Sequence, residues 1–238
     1  MSNHVTSIMK NLIIFIILFL NFSPVIAQEI EILKKSDSIP IIKEKGLVYI
    51  NEKTDLTDFH FIAKLKITSN DFNELLTGLQ KSANKLSANA FKYIEKENLE
   101  NRTSIIIELY AANQELIEHN KNNNSTNIIY FFGNDKKTQK FKIDNKKIEL
   151  QPNEIYQFEL PKNKEVKINK GGFAGMTVFH LWSEGQPAIF YAFGSGNLTG
   201  YGNGNDFIGL KISSGSIIQL KSDFAYLLID LKKLNTKL

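Results

Sequence analysis

The 238-residue sequence contains no cysteine, and Arg102 is the only arginine among its 29 basic residues. Without cysteine the chain has no disulfide framework, no thiolate zinc site, no iron–sulfur cluster and no cysteine nucleophile. The near absence of arginine argues against a nucleic-acid partner, because bidentate contacts with bases and phosphates depend on the guanidinium group. The formal charge of +4 is therefore carried by dispersed lysines, and we expect no nucleic-acid partner.

The densest group of lysines brackets the predicted turn at Asp144-Asn145. We interpret this group as the solvated rim of a hairpin, with a patch for phosphate or anionic lipid as the alternative. Its members are Lys136, Lys137, Lys140, Lys142, Lys146 and Lys147.

The N-terminal stretch has the parts of a secretory signal peptide. Lys10 precedes an apolar run from Leu12 to Leu20, and Pro24 precedes the residues that lead up to Ala27. We predict that residues 1–27 are a signal peptide and that cleavage near Ala27 leaves Gln28 as the new N-terminus. The exported protein is then periplasmic or extracellular. Met1 and Met9 both stay open as the starting residue.

An uncleaved membrane anchor is the alternative reading of this stretch. A transmembrane helix needs about 20 apolar residues, and polar residues and Pro24 interrupt the run soon after Leu20. The lack of cysteine after the run excludes a lipid anchor. Since no later apolar run reaches spanning length, we expect the mature form not to span the membrane.

Residues 28–117 are predicted to form a small β-α-β-β domain with an N-terminal leader. Apolar residues alternate over 59–67, which indicates a strand. They then recur at helical spacing over 72–86 after a capping sequence, Ser69-Asn70-Asp71. Two further strands are predicted at 89–94 and 103–110, and we expect the helix to lie across one face of the sheet.

Residues 118–127 are polar and aperiodic, and we predict that they form a linker between two domains. From 128 to 238 the sequence consists of short strand patterns separated by turn residues, which favours an antiparallel β-sandwich. An apolar stripe from Phe224 to Leu234 predicts a C-terminal helix, with a final strand as the alternative. The predicted fold class is therefore α+β.

Two stretches resemble uncharacterised exported proteins of the bacterial envelope. Residues 79–90 with 105–110 resemble small envelope domains in which an amphipathic helix ends in a Gly-Ala-Asn-Ala corner before paired strands, and Ser87 stands at the place of that glycine. Residues 141–161 resemble a sandwich domain of unknown function that carries a hairpin followed by a Pro-Asn-Glu strand. The resemblance implies an exported β-α-β-β domain plus a sandwich, and it brings no catalytic residue.

No motif for catalysis or metal binding stands out. After the predicted signal peptide the histidines are His60, His119 and His180, and none belongs to a His-x-His or His-Glu-x-x-His pattern. Ser195 is not set in a Gly-x-Ser-x-Gly elbow. We therefore name no catalytic residue, no metal ligand and no cofactor.

The glycine-rich stretch from Gly194 to Asp206 is interpreted as a hairpin loop, with a ligand-contacting loop or a calcium site as alternatives. Aromatic residues are frequent in the second half of the chain, where most are expected to fill the sandwich core. As speculative ligand-binding residues we name Trp182, His180 and Tyr201, because exposed aromatic side chains can stack on sugars.

These patterns favour an exported, non-catalytic binding or interaction module of the envelope or the extracellular space. Its expected partner is an unknown envelope protein or a glycan. A hydrolase with a dispersed active site is the alternative, and a structural subunit of a larger assembly is a third. A concave site joining His180 to a carboxylate and a hydroxyl would favour the enzyme, whereas an exposed aromatic patch would favour binding.

Overall fold

The computed structural model describes residues 28–38, 40, 46–99, 102–134, 137–171, 175–193 and 217–233. The predicted signal peptide and its cleavage site therefore lie outside the described residues. The same holds for the glycine-rich stretch with Tyr201 and for the end of the predicted C-terminal stripe at Leu234.

A first sheet of five strands has the order β1-β3-β5-β4-β2. Its neighbours are antiparallel except for β2 and β4, which run parallel. Part of the predicted leader is thus an edge strand of this sheet. The strands are β1 (Gln28–Lys35), β2 (Val48–Tyr49), β3 (His60–Ser69), β4 (Ala90–Leu99) and β5 (Arg102–Ala111).

Helix α1 (Phe72–Lys85) packs on one face of the first sheet, as its apolar stripe predicts. Asp71 caps the helix, since its Oδ1 accepts the N–H of Glu74 at 3.3 Å. Leu75 and Leu79 are buried against Leu65 and the neighbouring apolar residues of β3 and β5. Each such leucine contributes roughly 1.5–3 kcal/mol by leaving water, so this interface is a main source of stability. We call it the first core.

Helix α2 (Gln114–Asn122) corrects the predicted linker, because residues 118–122 belong to the helix. The cap is Asn113, whose Oδ1 accepts the N–H of Leu116 at 2.9 Å. The buried residues of α2 are Ile117 and Asn120. Because Asn120 occupies one of the buried positions, apolar residues do not recur at regular helical spacing over α2. The sequence pattern therefore suggested a loop. The division into two domains at this segment stays a prediction.

Residues after α2 form two four-stranded sheets that pack face to face, which confirms the α+β class with a sandwich. The second sheet has the order β11-β10-β7-β8, and the third has the order β13-β12-β6-β9. The strands are β6 (Ile128–Phe132), β7 (Gln139–Ile143), β8 (Lys146–Leu150), β9 (Ile155–Glu159), β10 (Glu165–Lys170), β11 (Met176–Leu181), β12 (Ile189–Phe193) and β13 (Ile217–Gln219).

One pair of sandwich strands differs from the predicted antiparallel arrangement, since β6 and β12 are parallel. Parallel neighbours need a long connection, and the intervening strands of the second sheet supply it. Between the two sheets, aromatic rings form the sandwich core. The ring centroid of Phe141 lies 4.7 Å from that of Phe131 and 4.5 Å from that of Phe193.

Helix α3 (Ser222–Lys233) confirms the predicted C-terminal helix and contacts both parts of the chain. Leu227 and Leu231 enter the first core. Ala225 and Ile229 pack instead on the outer side of the third sheet. Oδ1 of Asp223 also accepts the N–H of Tyr49 in β2 at 2.9 Å. The helix therefore joins the first sheet to the sandwich.

Among the described residues, no helix has both the length and the apolar character needed to cross a membrane.

Candidate functional site

The candidate site is built on β11, which lies at one edge of the second sheet. On one side β11 pairs with β10, and no strand in the described part of the chain pairs with its other side. Strand alternation sends Val178 and His180 toward the sandwich core and Phe179 and Leu181 toward solvent. Within the described residues, the edge thus combines a backbone that no strand pairs with and apolar side chains.

Phe179 and Leu181 are the most exposed large apolar side chains in the described part of the molecule, at 55% and 61% of their full accessible areas. Nζ of Lys167 lies 5.9 Å from the centre of the Phe179 ring. No residue of β11 is acidic or a lysine. Natural edge strands usually carry charges that prevent pairing with other chains, as β1 does, and β11 lacks this protection.

His180, one of the predicted ligand-binding residues, contacts a tyrosine hydroxyl inside the sandwich. Its Nε2 lies 2.7 Å from the hydroxyl oxygen of Tyr191. Burial lowers the pKa of His180 below its ordinary value, so the ring is neutral at pH 7. Within the described residues no carboxylate is hydrogen-bonded or ion-paired to His180. Among the described residues, His180 therefore lacks the carboxylate that, together with a hydroxyl, would favour a hydrolase.

Trp182, the second predicted residue, follows directly after β11. Its ring is half-buried against the sandwich core, and Nζ of Lys162 lies 5.1 Å from the ring centre. The structure therefore brings Trp182 and His180 to the same end of β11. Because the core and Lys162 cover much of the indole, a stacking platform for sugars stays a prediction. Tyr201 lies outside the described residues.

The other two histidines are separate from this edge in the fold. His60 begins β3, and its Nε2 lies 3.0 Å from the backbone oxygen of Ser38. His119 is exposed on α2. Across the ranges that the structure describes, no group of three or more acidic or histidine side chains could hold a metal ion.

Sequence reasoning missed Lys170, which ends β10 inside the sandwich. Only 5% of its accessible area is exposed, and its Nζ donates to Oε1 of Gln139. The ammonium lies 4.5 Å from the centre of the Phe193 ring, and burial lowers the pKa of Lys170 to about 8. Among the described residues no carboxylate lies within ion-pair distance. The strand alternation of β10 could have found this lysine, because it shares a face with Val166 and Ile168.

The outward side of the second sheet is a second feature beside β11, and we call it the lysine face. Lys142 and Lys147 occupy directly opposite positions of β7 and β8. Asn169 of β10 lies opposite Lys142 on the other side. The face consists of Lys140, Lys142, Lys147, Glu149, Glu165, Lys167, Asn169, Thr177, Phe179 and Leu181.

Salt bridges neutralise only part of the lysine face. Nζ of Lys140 lies 2.8 Å from Oε1 of Glu149. Within the described part of the chain, no carboxylate lies within 4.0 Å of Lys142, Lys147 or Lys167. The face therefore presents uncompensated positive charge next to the two most exposed apolar side chains.

Comparisons with known proteins identify no relative of this chain. No family model matches it, and neither does any curated protein or solved structure. The function must therefore be argued from the edge strand, the lysine face and the buried polar groups.

Proposed function

We propose that the chain is an exported, non-catalytic binding module of the bacterial envelope or extracellular space, and that it contacts its partner through β11 and the lysine face. The exposure of Phe179 and Leu181 on an edge strand without charged residues carries this proposal. Such an edge invites aggregation unless a partner covers it. The signal-like N-terminus and the resemblance to exported envelope domains support the proposed location.

The outer backbone edge of β11, with which no described strand pairs, suits an extended segment of an envelope protein. Strand addition gives affinity through main-chain hydrogen bonds, and side chains that alternate along the strand give specificity. A glycan is the other partner that the sequence suggests, through Trp182. Of the two, the protein has more support because the core and Lys162 already cover part of the indole.

The alternative function, a hydrolase with a dispersed active site, has less support. His180 does contact a hydroxyl, that of Tyr191. Both side chains belong to the interior of the sandwich, and the described residues supply no carboxylate to orient the imidazole.

The location is tested by purifying the protein from the exported fraction and sequencing its N-terminus. We expect Gln28 as the first residue. A protein that retains the apolar run from Leu12 to Leu20 would contradict cleavage, and recovery only from the cell interior would contradict export.

The binding function is tested by capturing partners from envelope extract with the exported protein and with the double variant Phe179→Ser, Leu181→Ser. We expect the variant to lose the captured partner while its circular dichroism spectrum stays unchanged. The matched control is Ile30→Ser, Ile32→Ser, which changes two exposed apolar residues on β1, an edge strand of the first sheet. Equal capture by the wild-type protein and the β11 variant would reject the proposed site.

A further inference from the structure

We infer that the lysine face binds the surface of an anionic phospholipid membrane. In this arrangement its lysines meet the lipid phosphates, and Phe179 and Leu181 enter the interfacial layer. The inference rests on the function proposed above, because it assigns an anionic lipid surface to the lysine face, beside the backbone edge of β11 that suits an envelope protein.

The charge arrangement of the lysine face is the first argument. Lys142 and Lys147 stand directly opposite each other on paired strands, and like charges in such positions reduce stability. The described part of the chain supplies no carboxylate to either lysine or to Lys167. An external layer of negative charge would offset this repulsion, whereas folding alone gives no reason for it.

Two lysines of the first sheet provide a comparison. Nζ of Lys66 lies 2.7 Å from Oε2 of Glu97, and Nζ of Lys64 lies 3.8 Å from Oε1 of Glu108. The first pair reaches across β5, and the second joins the neighbouring strands β3 and β5. Lys64 also lies opposite a lysine, Lys34, but it has Glu108 as an ion-pair partner, whereas the described residues supply none to the opposed lysines of the second sheet.

The position of the apolar side chains is the second argument. Phe179 lies opposite Lys167 in the register of β10 and β11, and Leu181 lies opposite Glu165. Cations and apolar groups thus share one face of a sheet whose four strands span about 14 Å. Peripheral proteins bind membranes with this combination, because cations attract anionic headgroups while apolar side chains insert at the boundary of the acyl chains.

The use of lysine favours a lipid surface over a folded acidic partner. A lysine ammonium is a mobile point charge, whereas rigid, bidentate recognition of carboxylates uses arginine. On the lysine face, the lysines without a described acidic partner are Lys142, Lys147 and Lys167, and all of them are exposed. A fluid layer of headgroups adapts to mobile ammonium groups, while a rigid partner would have to immobilise each of them.

The test measures binding of the exported protein to sedimented vesicles. Vesicles of phosphatidylcholine with 40% phosphatidylglycerol are compared with vesicles of phosphatidylcholine alone. We expect at least tenfold tighter binding to the anionic vesicles, decreasing as the salt concentration rises. The double variant Lys142→Gln, Lys147→Gln should lose about fivefold in affinity for each lysine removed. Phe179→Ser, Leu181→Ser should also weaken binding.

A gain-of-binding variant protects the test against misfolding. Glu165 is on the lysine face without a described ion-pair partner, so Glu165→Gln should increase affinity for anionic vesicles by about fivefold. Lys81→Gln, Lys85→Gln is the charge-matched control, because both lysines are exposed on α1. Its affinity should equal that of the wild-type protein.

Three results would overturn the lipid inference: equal binding to both kinds of vesicle, full binding by Lys142→Gln, Lys147→Gln, or equal losses in that variant and the α1 control. The function proposed above has a separate outcome. If vesicles fail but envelope extract still yields a protein or glycan that depends on Phe179 and Leu181, the binding module stands and only its lipid partner is rejected.

Discussion

The first sheet and the sandwich each bury a strongly polar side chain, but they surround it differently. Near the first sheet, Asn120 of α2 accepts hydrogen bonds from the backbone N–H of Asn51 and the hydroxyl of Thr54, each at 2.8 Å. It also donates to the backbone oxygen of Tyr49 at 2.8 Å. In the sandwich, the described residues offer the charge of Lys170 one amide oxygen and an aromatic ring.

The surfaces of the two regions repeat this contrast. Lys64 and Lys66 of the first sheet form ion pairs with carboxylates of other strands, whereas Lys142 lies opposite another lysine and has no described carboxylate within 4.0 Å. The hydrogen bonds of Asn120 and the ion pairs of Lys64 and Lys66 therefore stabilise the first region. In the sandwich, the opposition of Lys142 and Lys147 and the burial of Lys170 reduce stability, and such departures from local consistency are expected where a residue serves function.

The largest expected effect is a loss of stability when Asn120 is replaced. Asn120→Leu leaves the N–H of Asn51, the hydroxyl of Thr54 and the carbonyl of Tyr49 without the partner that the asparagine supplied. Because each unsatisfied buried group costs about 1–3 kcal/mol, we expect the free energy of unfolding to fall by at least about 3 kcal/mol. Urea unfolding followed by circular dichroism measures the change.

The matched control for this variant is Asn84→Leu, because Asn84 is an exposed asparagine of α1. Its effect should stay within about 0.5 kcal/mol. Similar losses in the two variants would mean that the hydrogen bonds of Asn120 are not the reason for its burial, and the comparison between the two regions would fail.

The next effect is of opposite sign. Lys170→Met should raise the free energy of unfolding at pH 7 by up to about 3 kcal/mol, because a buried charge with incomplete compensation is replaced by an apolar side chain of similar length. Urea unfolding at pH 7 measures it. A less stable variant would show that Lys170 is well compensated, and the sandwich would then resemble the first region.

The pH dependence of this difference gives an independent measurement. Burial lowers the folded-state pKa of Lys170 to about 8 from the ordinary 10.5. Between these pH values the unfolded chain holds a proton that the folded chain has lost, so the stability of the wild-type protein rises with pH. The advantage of Lys170→Met should therefore shrink from pH 8 and vanish near pH 10.5. An advantage that stays constant over this range would reject the shifted pKa.

The smallest effect concerns the surface charges. Lys142→Glu converts the contact with Lys147 into a pair of opposite charges and should raise the free energy of unfolding by about 0.5 kcal/mol. Lys140→Glu is the reciprocal control, because it places a second carboxylate opposite Glu149 and should lower stability by a similar amount. Thermal unfolding at low salt measures both changes. Shifts of the two melting temperatures in the same direction would show that the register of β7 and β8 does not determine these energies.

Much of the fold follows from periodicity. Alternation over β3 and the apolar stripe of α1 predict these two elements, whereas β5 is buried on both faces and shows a continuous apolar run. Helix α2 was not predicted, since Asn120 contributes hydrogen bonds and not an apolar contact to the interior. The parallel pairing of β6 with β12 joins residues far apart in sequence, and local patterns carry no information about that choice.

The candidate site was predictable only in part. His180 lies within β11 and Trp182 directly after it, as the predicted strand implies, and a ligand-binding role for either residue stays a prediction. The alternation of β10 places Lys170 on the same face as Val166 and Ile168. Because lysine is rarely buried, the residue type argues against burial at this position, and the alternation was not followed to Lys170. The opposition of Lys142 and Lys147 follows from the hairpin at Asp144-Asn145, whereas the position of β11 at the sheet edge depends on strand order.

Helix α3 couples the unfolding of the two parts of the molecule. Leu227 completes the first core, and Ala225 completes the cover of the third sheet. Detachment of this one helix therefore exposes apolar surface on both parts at once. We expect the first sheet and the sandwich to lose structure in a single cooperative transition.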